Sequence, residues 1–331
     1  MSNGLSESAL RLLPAADQQL RCASHAHSIN TDPCGNALFV NALVLVEVPL
    51  PWPKPVFKHP LLQQFTSMAT TSLGSTRVLA AVPSGTQPGI RVIVYQRDKI
   101  GVQSWGFRPT DPTELARFAN QIKTTHPAEL DITRDSIHPP EIAVLICTQG
   151  SHDVCCGSAG TKLASDLEMQ APGLAIFRVS HTGGHRFAPT AMTIPDGRMW
   201  AYLDTQSMLS ILELSGDVKN LSKYCRGWWG APAGPGQVAE RAVFEQMGWD
   251  MDLMPREVWA NKTATGWTVT LSVALEDWTV KIIQGRQIPT ITCRADGGLP
   301  AKPAYEYTVT SVNSPTQLCT EGLDERKLDH S

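Results

Sequence analysis

The chain has 331 residues, a formal net charge of −3, 42% hydrophobic and 18% charged residues. At about 100–200 residues per domain, this length predicts two or three domains with cores large enough to need no disulfide staples. The composition excludes a disordered chain, and the small negative charge excludes a global basic field aimed at nucleic acid or an anionic membrane.

Residues 1–36 read as a polar N-terminal segment closed by Asp32-Pro33 and Gly35, with no apolar core of signal-peptide type. Residues 37–48 form the longest apolar run, broken by Asn41 and Glu47. It is too short to span a bilayer and predicts a buried strand, so no membrane partner is expected. Pro49, Pro51, Pro53 and Pro55 follow as a rigid extended segment. Residues 77–82 and 90–95 are β-branched runs that predict two more strands. Asp111-Pro112-Thr113-Glu114 combines an N-cap, a first-turn proline and a glutamate three residues past the cap, and predicts a helix to about residue 124. Pro127 and Pro139-Pro140 mark a boundary. Residues 37–135 therefore read as an N-terminal α/β domain, with a degenerate thioredoxin-like fold as one option.

Residues 142–146 predict a continuous apolar strand ending in Cys147, followed by a loop and a helix over 158–169. Residues 174–179 predict a second buried strand ending at Ser180-His181, and Pro195-Asp196-Gly197-Arg198 joins a β-hairpin. This β-loop-α-β-hairpin order over 136–222 is that of a thioredoxin-like core. Residues 223–331 read as a C-terminal α+β segment: a helix over 237–247, then a meander over 267–273, 278–283 and 289–293. No internal repeat is visible.

Four residues stand out. Cys147 and Cys156 lie nine positions apart around a loop containing Gly150 and Gly157, and His181 and His185 lie four apart around Thr182-Gly183-Gly184. Each pair follows a predicted buried strand, so parallel strands would gather both at one sheet edge. Two thiolates and two imidazoles suit zinc, or an iron–sulfur cluster of mixed ligation. The cysteine loop is wider than the usual zinc knuckle, and the two glycines between the histidines remove Cβ atoms where a cluster would press on the backbone.

Cys147-Thr-Gln-Gly-Ser-His-Asp-Val-Cys155-Cys156-Gly and Ser180-His181-Thr-Gly-Gly-His185-Arg-Phe-Ala-Pro resemble the sucrase/ferredoxin-like family. Leu45-Val-Glu47 with Pro51-Trp52, Pro195-Asp-Gly, and Tyr224-x-Arg226-Gly227 with Gln237 and Glu240 extend the resemblance over roughly residues 35–310. One departure is Trp228-Trp229, where smaller residues are expected. The resemblance implies an α/β (α+β overall) fold, a thioredoxin-like ferredoxin core with additional N-terminal and C-terminal α+β segments. It implies a [2Fe–2S] cluster held by Cys147, Cys156, His181 and His185, one-electron transfer, and a redox partner protein, reductase or acceptor. Two neutral imidazoles make the cluster about two charge units less negative than an all-thiolate site, which raises its potential above plant-type ferredoxins. A titratable ring nitrogen would couple electron uptake to proton uptake.

Two other readings stand beside this one, a zinc-binding Cys2His2 thioredoxin-like protein and a thiol–disulfide oxidoreductase. The second is weakened by the lack of C-x-x-C, only Cys155-Cys156 being vicinal. No carboxylate pair suits a sucrase, so an electron carrier is favoured over a hydrolase. Cys155 is read as a non-ligand beside Cys156. His152 and Asp153 are read as hydrogen-bond partners of the ligands or as solvated loop residues. Arg186 is read as a screen for cluster charge or as a surface arginine, and Trp228-Trp229 as interdomain packing or a docking patch. Cys22, Cys34, Cys225, Cys293 and Cys319 show no metal spacing and read as buried or free thiols, and His25-x-His27 reads as incidental. A cytoplasmic, reducing location follows by default.

Overall fold

The computed structural model describes residues 4–130, 138–151 and 154–315; His152, Asp153 and Cys319 lie outside them. In chain order the elements are α1 (Glu7–Leu10), α2 (Cys22–Ser28), β1 (Ala42–Glu47), β2 (Thr70–Thr71), β3 (Gly74–Ala81), β4 (Val92–Arg97), β5 (Val102–Phe107), α3 (Pro112–Gln121), β6 (Ala143–Cys147), α4 (Thr161–Gln170), β7 (Ala175–Val179), β8 (Thr190–Ile194), β9 (Arg198–Ala201), α5 (Thr205–Leu212), α6 (Val218–Leu221), β10 (Cys225–Trp228), α7 (Pro235–Met247), β11 (Arg256–Lys262), β12 (Trp267–Val273), β13 (Glu276–Thr290) and β14 (Lys302–Asn313). The fold is mixed α/β around one large mixed sheet.

That sheet runs β10-β9-β8-β6-β7-β3-β1-β4-β5, with β2 paired to β3. β1 lies parallel to β3 and antiparallel to β4, which pairs antiparallel with β5. β6 repeats the pattern: it is parallel to β7 and antiparallel to β8, which pairs antiparallel with β9. Each half thus orders its strands second, first, third, fourth, and a helix follows the fourth strand, α3 in one half and α5 in the other. The sequence hides this repeat because the crossovers differ. β6 reaches β7 through α4, whereas β1 reaches β3 through 3₁₀ turns at Val56–Lys58 and Pro60–Phe65. The halves join edge to edge through β3 and β7, at Ala81 and Val179.

Continuous apolar runs become central strands because both faces are covered. On β1, Val44 and Val46 face a core with Phe65, Phe107 and Phe118. Leu43 and Leu45 point the other way, into the larger core shared with β6 and α7. α3 starts where the sequence placed it: Asp111 Oδ1 accepts from the Thr113 and Glu114 N–H groups. Glu114 reaches back to Thr110 rather than to the cap residue.

The C-terminal sheet, β11-β12-β13-β14, packs against α7, whose Val238, Ala239, Val243 and Phe244 are buried. Between them lies a charged core. Arg198 and Arg256 are buried against Glu240 and Asp252, with contacts of 2.8–3.2 Å. Two cations against two anions is the balance that burial demands, since an unpaired charge there would cost several kcal/mol. Trp228 and Trp229 sit in this core as well. Trp228 lies under Arg256 and donates its indole N–H to Asp196 O, while Trp229 is fully buried.

The N-terminal segment departs from expectation. Residues within 1–36 read as polar, yet α2 buries Cys22, His25 and Ala26 and packs on the turn that carries His185. Its helical character was hidden by a length of only seven residues. β5 and β14 are further strands outside the expected set: β5 has a single β-branched residue, Val102, whereas β14 carries the run Thr308-Val309-Thr310. The meander is correspondingly longer than expected: β13 covers fifteen residues, with irregular register at Lys281/Ile282 and Gln284/Gln287. These bends carry its far end toward the motif loops. No helix among the described residues is long and apolar enough to cross a membrane.

Candidate metal centre

β6 and β7 run parallel and end side by side, with Cys147 opposite Val179. The chain after β6 folds back on itself: a Cβ on Gly157 would lie 2.5 Å from Gly150 Cα, so only glycine permits this approach. The helix after the loop is α-helical at Val154 and Cys155, π-helical over Cys156–Gly160, and α-helical again in α4. The sequence reading began this helix at residue 158. Helical backbone already covers Val154 and Cys155, and the Cys156 thiol is hydrogen-bonded to Cys147.

The donor atoms of Cys147, Cys156 and His181 lie within 4.8 Å of one another. Both cysteines are fully buried, whereas His181 and His185 are partly buried. His185 is not part of that compact triplet. Its ring centroid is 6.0 Å from that of His181, and its Nδ1 lies 3.3 Å from Cys22 Sγ. The vicinal cysteines part company: Cys155 Sγ joins Cys22 and Cys293 in a separate group.

Hydrogen bonds favour the ionised form of Cys147. The Cys147 thiol is pushed well below its ordinary value, first by the Cys156 thiol and then by His181 and the Thr182 and Gln149 N–H groups, which outweigh burial. Gln149 organises the loop. Its Oε1 accepts from the His181 N–H and its Nε2 donates to Pro53 O, while Ser151 Oγ donates to Trp52 O. The extended Pro51–Pro53 stretch therefore serves as a brace for both ligand loops.

Three arginines surround the site. Arg77, on β3 of the other half, donates to His181 O at 3.0 Å. Arg186 is neither exposed nor free at the surface: it bonds Thr290 Oγ1 and Asn36 Oδ1 and lies over the Phe187 ring. Arg226, on β10, is fully buried. Burial lowers its guanidinium to about 10, against the pull of Cys147 and Cys156. One of its amino groups bonds Asn36 O, while Nε and Nη1 have no hydrogen-bond partner among the described residues. The sequence shows Arg226 only within the Tyr224-x-Arg226-Gly227 match and gives Arg77 no motif at all, so neither is marked there as a neighbour of the cysteines.

Arg226 also explains the double glycine. Gly183 and Gly184 both adopt positive φ, +84° and +68°, and a Cβ on Gly184 would sit 2.6 Å from Arg226 Cζ. The sequence reading attributed these glycines to room for a cluster; the structure attributes Gly184 to a left-handed turn laid on a guanidinium.

The model of the sucrase/ferredoxin-like family matches residues 34–227, more than half of the chain and all four motif residues. No curated protein and no solved structure matches.

Proposed function

The chain belongs to the sucrase/ferredoxin-like family, and from that premise we propose that it is a one-electron carrier holding a [2Fe–2S] cluster through Cys147, Cys156, His181 and His185. The observation that carries this reading is the convergence of Cys147, Cys156 and His181 within 4.8 Å from the ends of two parallel strands, with His185 four residues further along one of them. The donors span more than one ion's shell, since His185 stands outside the compact triplet. Arg226 fits the same group: its buried, unpartnered Nε and Nη1 lie beside Cys147 and Cys156 and are donors suited to sulfur acceptors.

When bound, such a cluster supplies a one-electron couple. The chain's own residues set its terms. Cys147 and Cys156 present their sulfurs from fully buried positions. Arg226 and Arg77 supply fixed positive charge that favours the reduced, more negative state. The partly exposed imidazoles form the side on which a redox partner protein docks, and they give a proton a path to and from the ligand shell.

Anaerobically purified protein tests this. The expected preparation is red-brown, holds iron and acid-labile sulfide in equal amounts, and is bleached by dithionite. Colourless protein with zinc bound through Cys147 and Cys156 would replace the carrier with a zinc protein.

A further inference from the structure

Beyond that reading, we propose a second metal site, in which Cys22, Cys155 and Cys293 bind one zinc ion as thiolates, with His185 Nδ1 beside the fourth position. The three sulfurs come from three remote segments: α2, the loop after β6, and the stretch after β13. Two of them, Cys22 and Cys293, lie outside the residues matched by the family model. Their Sγ atoms all lie within 4.8 Å of one another, with Cys22–Cys155 at 3.6 Å and Cys155–Cys293 at 3.9 Å. Two thiolates on one tetrahedral zinc, each about 2.3 Å from the metal, stand about 3.8 Å apart. The two edges at Cys155 match that spacing.

Three converging sulfurs also exceed what a disulfide would need, and none of the three is in one. His185 Nδ1 is 3.3 Å from Cys22 Sγ but stands outside the compact trio, so the zinc donors proposed are the three sulfurs.

The surroundings hold the site in shape. The Arg294 N–H donates to Leu20 O, the Gly297 N–H to Gln18 O, and Gln19 Nε2 to Asp296 Oδ1. These bonds staple the segment before Cys22 to the segment around Cys293. Cys22 and Cys155 are buried in a small cluster with Ala188, Ile291 and Ala301. The charge of a zinc trithiolate, −1 overall, falls beside Arg186, which interacts electrostatically with Cys22. A cleft of about 370 Å³, lined by Arg21, His27, Cys155, Ala188 and Tyr202 among others, gives an ion an approach to Cys155.

The test uses full-length protein, purified under reducing conditions and supplied with zinc chloride. Metal analysis should find one zinc per chain besides any iron, and X-ray absorption at the zinc edge should count three sulfurs around it. Zinc should be retained in Cys147→Ser and lost in Cys293→Ser. Absence of zinc, two sulfurs rather than three, or a Cys22–Cys155 disulfide in the isolated protein would each overturn the proposal. The sulfur count needs no substitution, so it stands even where a variant fails to fold. Zinc with three sulfurs in a chain without iron would uphold this site while refuting the carrier reading; iron without this zinc would do the reverse.

Discussion

Replacing Gly184 with alanine separates two demands on the His181–His185 turn. The first is conformational: φ is +68° at Gly184 and +84° at Gly183, and a Cβ in the left-handed region costs about 1–2 kcal/mol at either position. The second is steric and belongs to Gly184 alone. A Cβ there would lie 2.6 Å from Arg226 Cζ, whereas at Gly183 the nearest atom within 4 Å is Arg226 Nη2, at 3.8 Å. Arg226 is fully buried and cannot swing away, so this clash adds an overpacking cost of about 1–3 kcal/mol. Gly183→Ala should therefore cost about 1–2 kcal/mol and Gly184→Ala about 2–5 kcal/mol, read by equilibrium urea unfolding of metal-free protein. Arg226→Met in the Gly184→Ala background removes the obstacle, and the double variant should be less destabilised than the sum of the singles by about 1–3 kcal/mol. Equal costs at the two glycines, or strict additivity with Arg226→Met, would refute the assignment of Arg226 as the floor of this turn.

Other outcomes follow from charge. Burial and then Asp252 raise the Asp196 carboxyl to about 6. A carboxyl raised on folding contributes stability below its unfolded pKa, and that contribution is lost as pH rises through the folded one. Stability should therefore fall between pH 4 and 7, by at most about 3 kcal/mol at about 1.4 kcal/mol per pH unit. Asp196→Asn, whose amide oxygen can still accept from Thr193 Oγ1 and the Arg198 N–H, should flatten that slope in unfolding measured across the same range. Arg226→Met should lower the reduction potential measured by protein-film voltammetry, because it removes buried positive charge beside Cys147 and Cys156; an unchanged or raised potential would count against the electrostatic role. His185→Cys should keep a cluster at lower potential, and the wild-type potential should fall as pH rises from 6 to 9, whereas a pH-independent potential would remove proton coupling from the account.

What was legible in the sequence was local. The apolar runs of β1 and β6, the cap at Asp111, the hairpin around Asp196 and the two paired motifs each announce themselves within a dozen residues. The convergence of the motifs was also inferable, because two buried strands joined through a helix must run parallel and end together. What stayed hidden depends on distant partners. Cys22 and Cys293 lack any ligand spacing, and only α2 and the bends of β13 bring them to Cys155. Glu240 and Asp252 look like ordinary surface carboxylates until Arg198 and Arg256 close around them. The repeated strand order leaves no repeated sequence, since strand pairing asks only for apolar alternation and a crossover of adequate length.

The reduced protein, labelled with ¹⁵N-histidine and examined by pulsed electron paramagnetic resonance, tests the central assignment most directly. The account predicts strong hyperfine coupling to nitrogens of two histidines, with one coupling lost in His181→Cys and the other in His185→Cys. A signal with no histidine nitrogen coupled to it, or couplings that survive both replacements, would contradict ligation by His181 and His185.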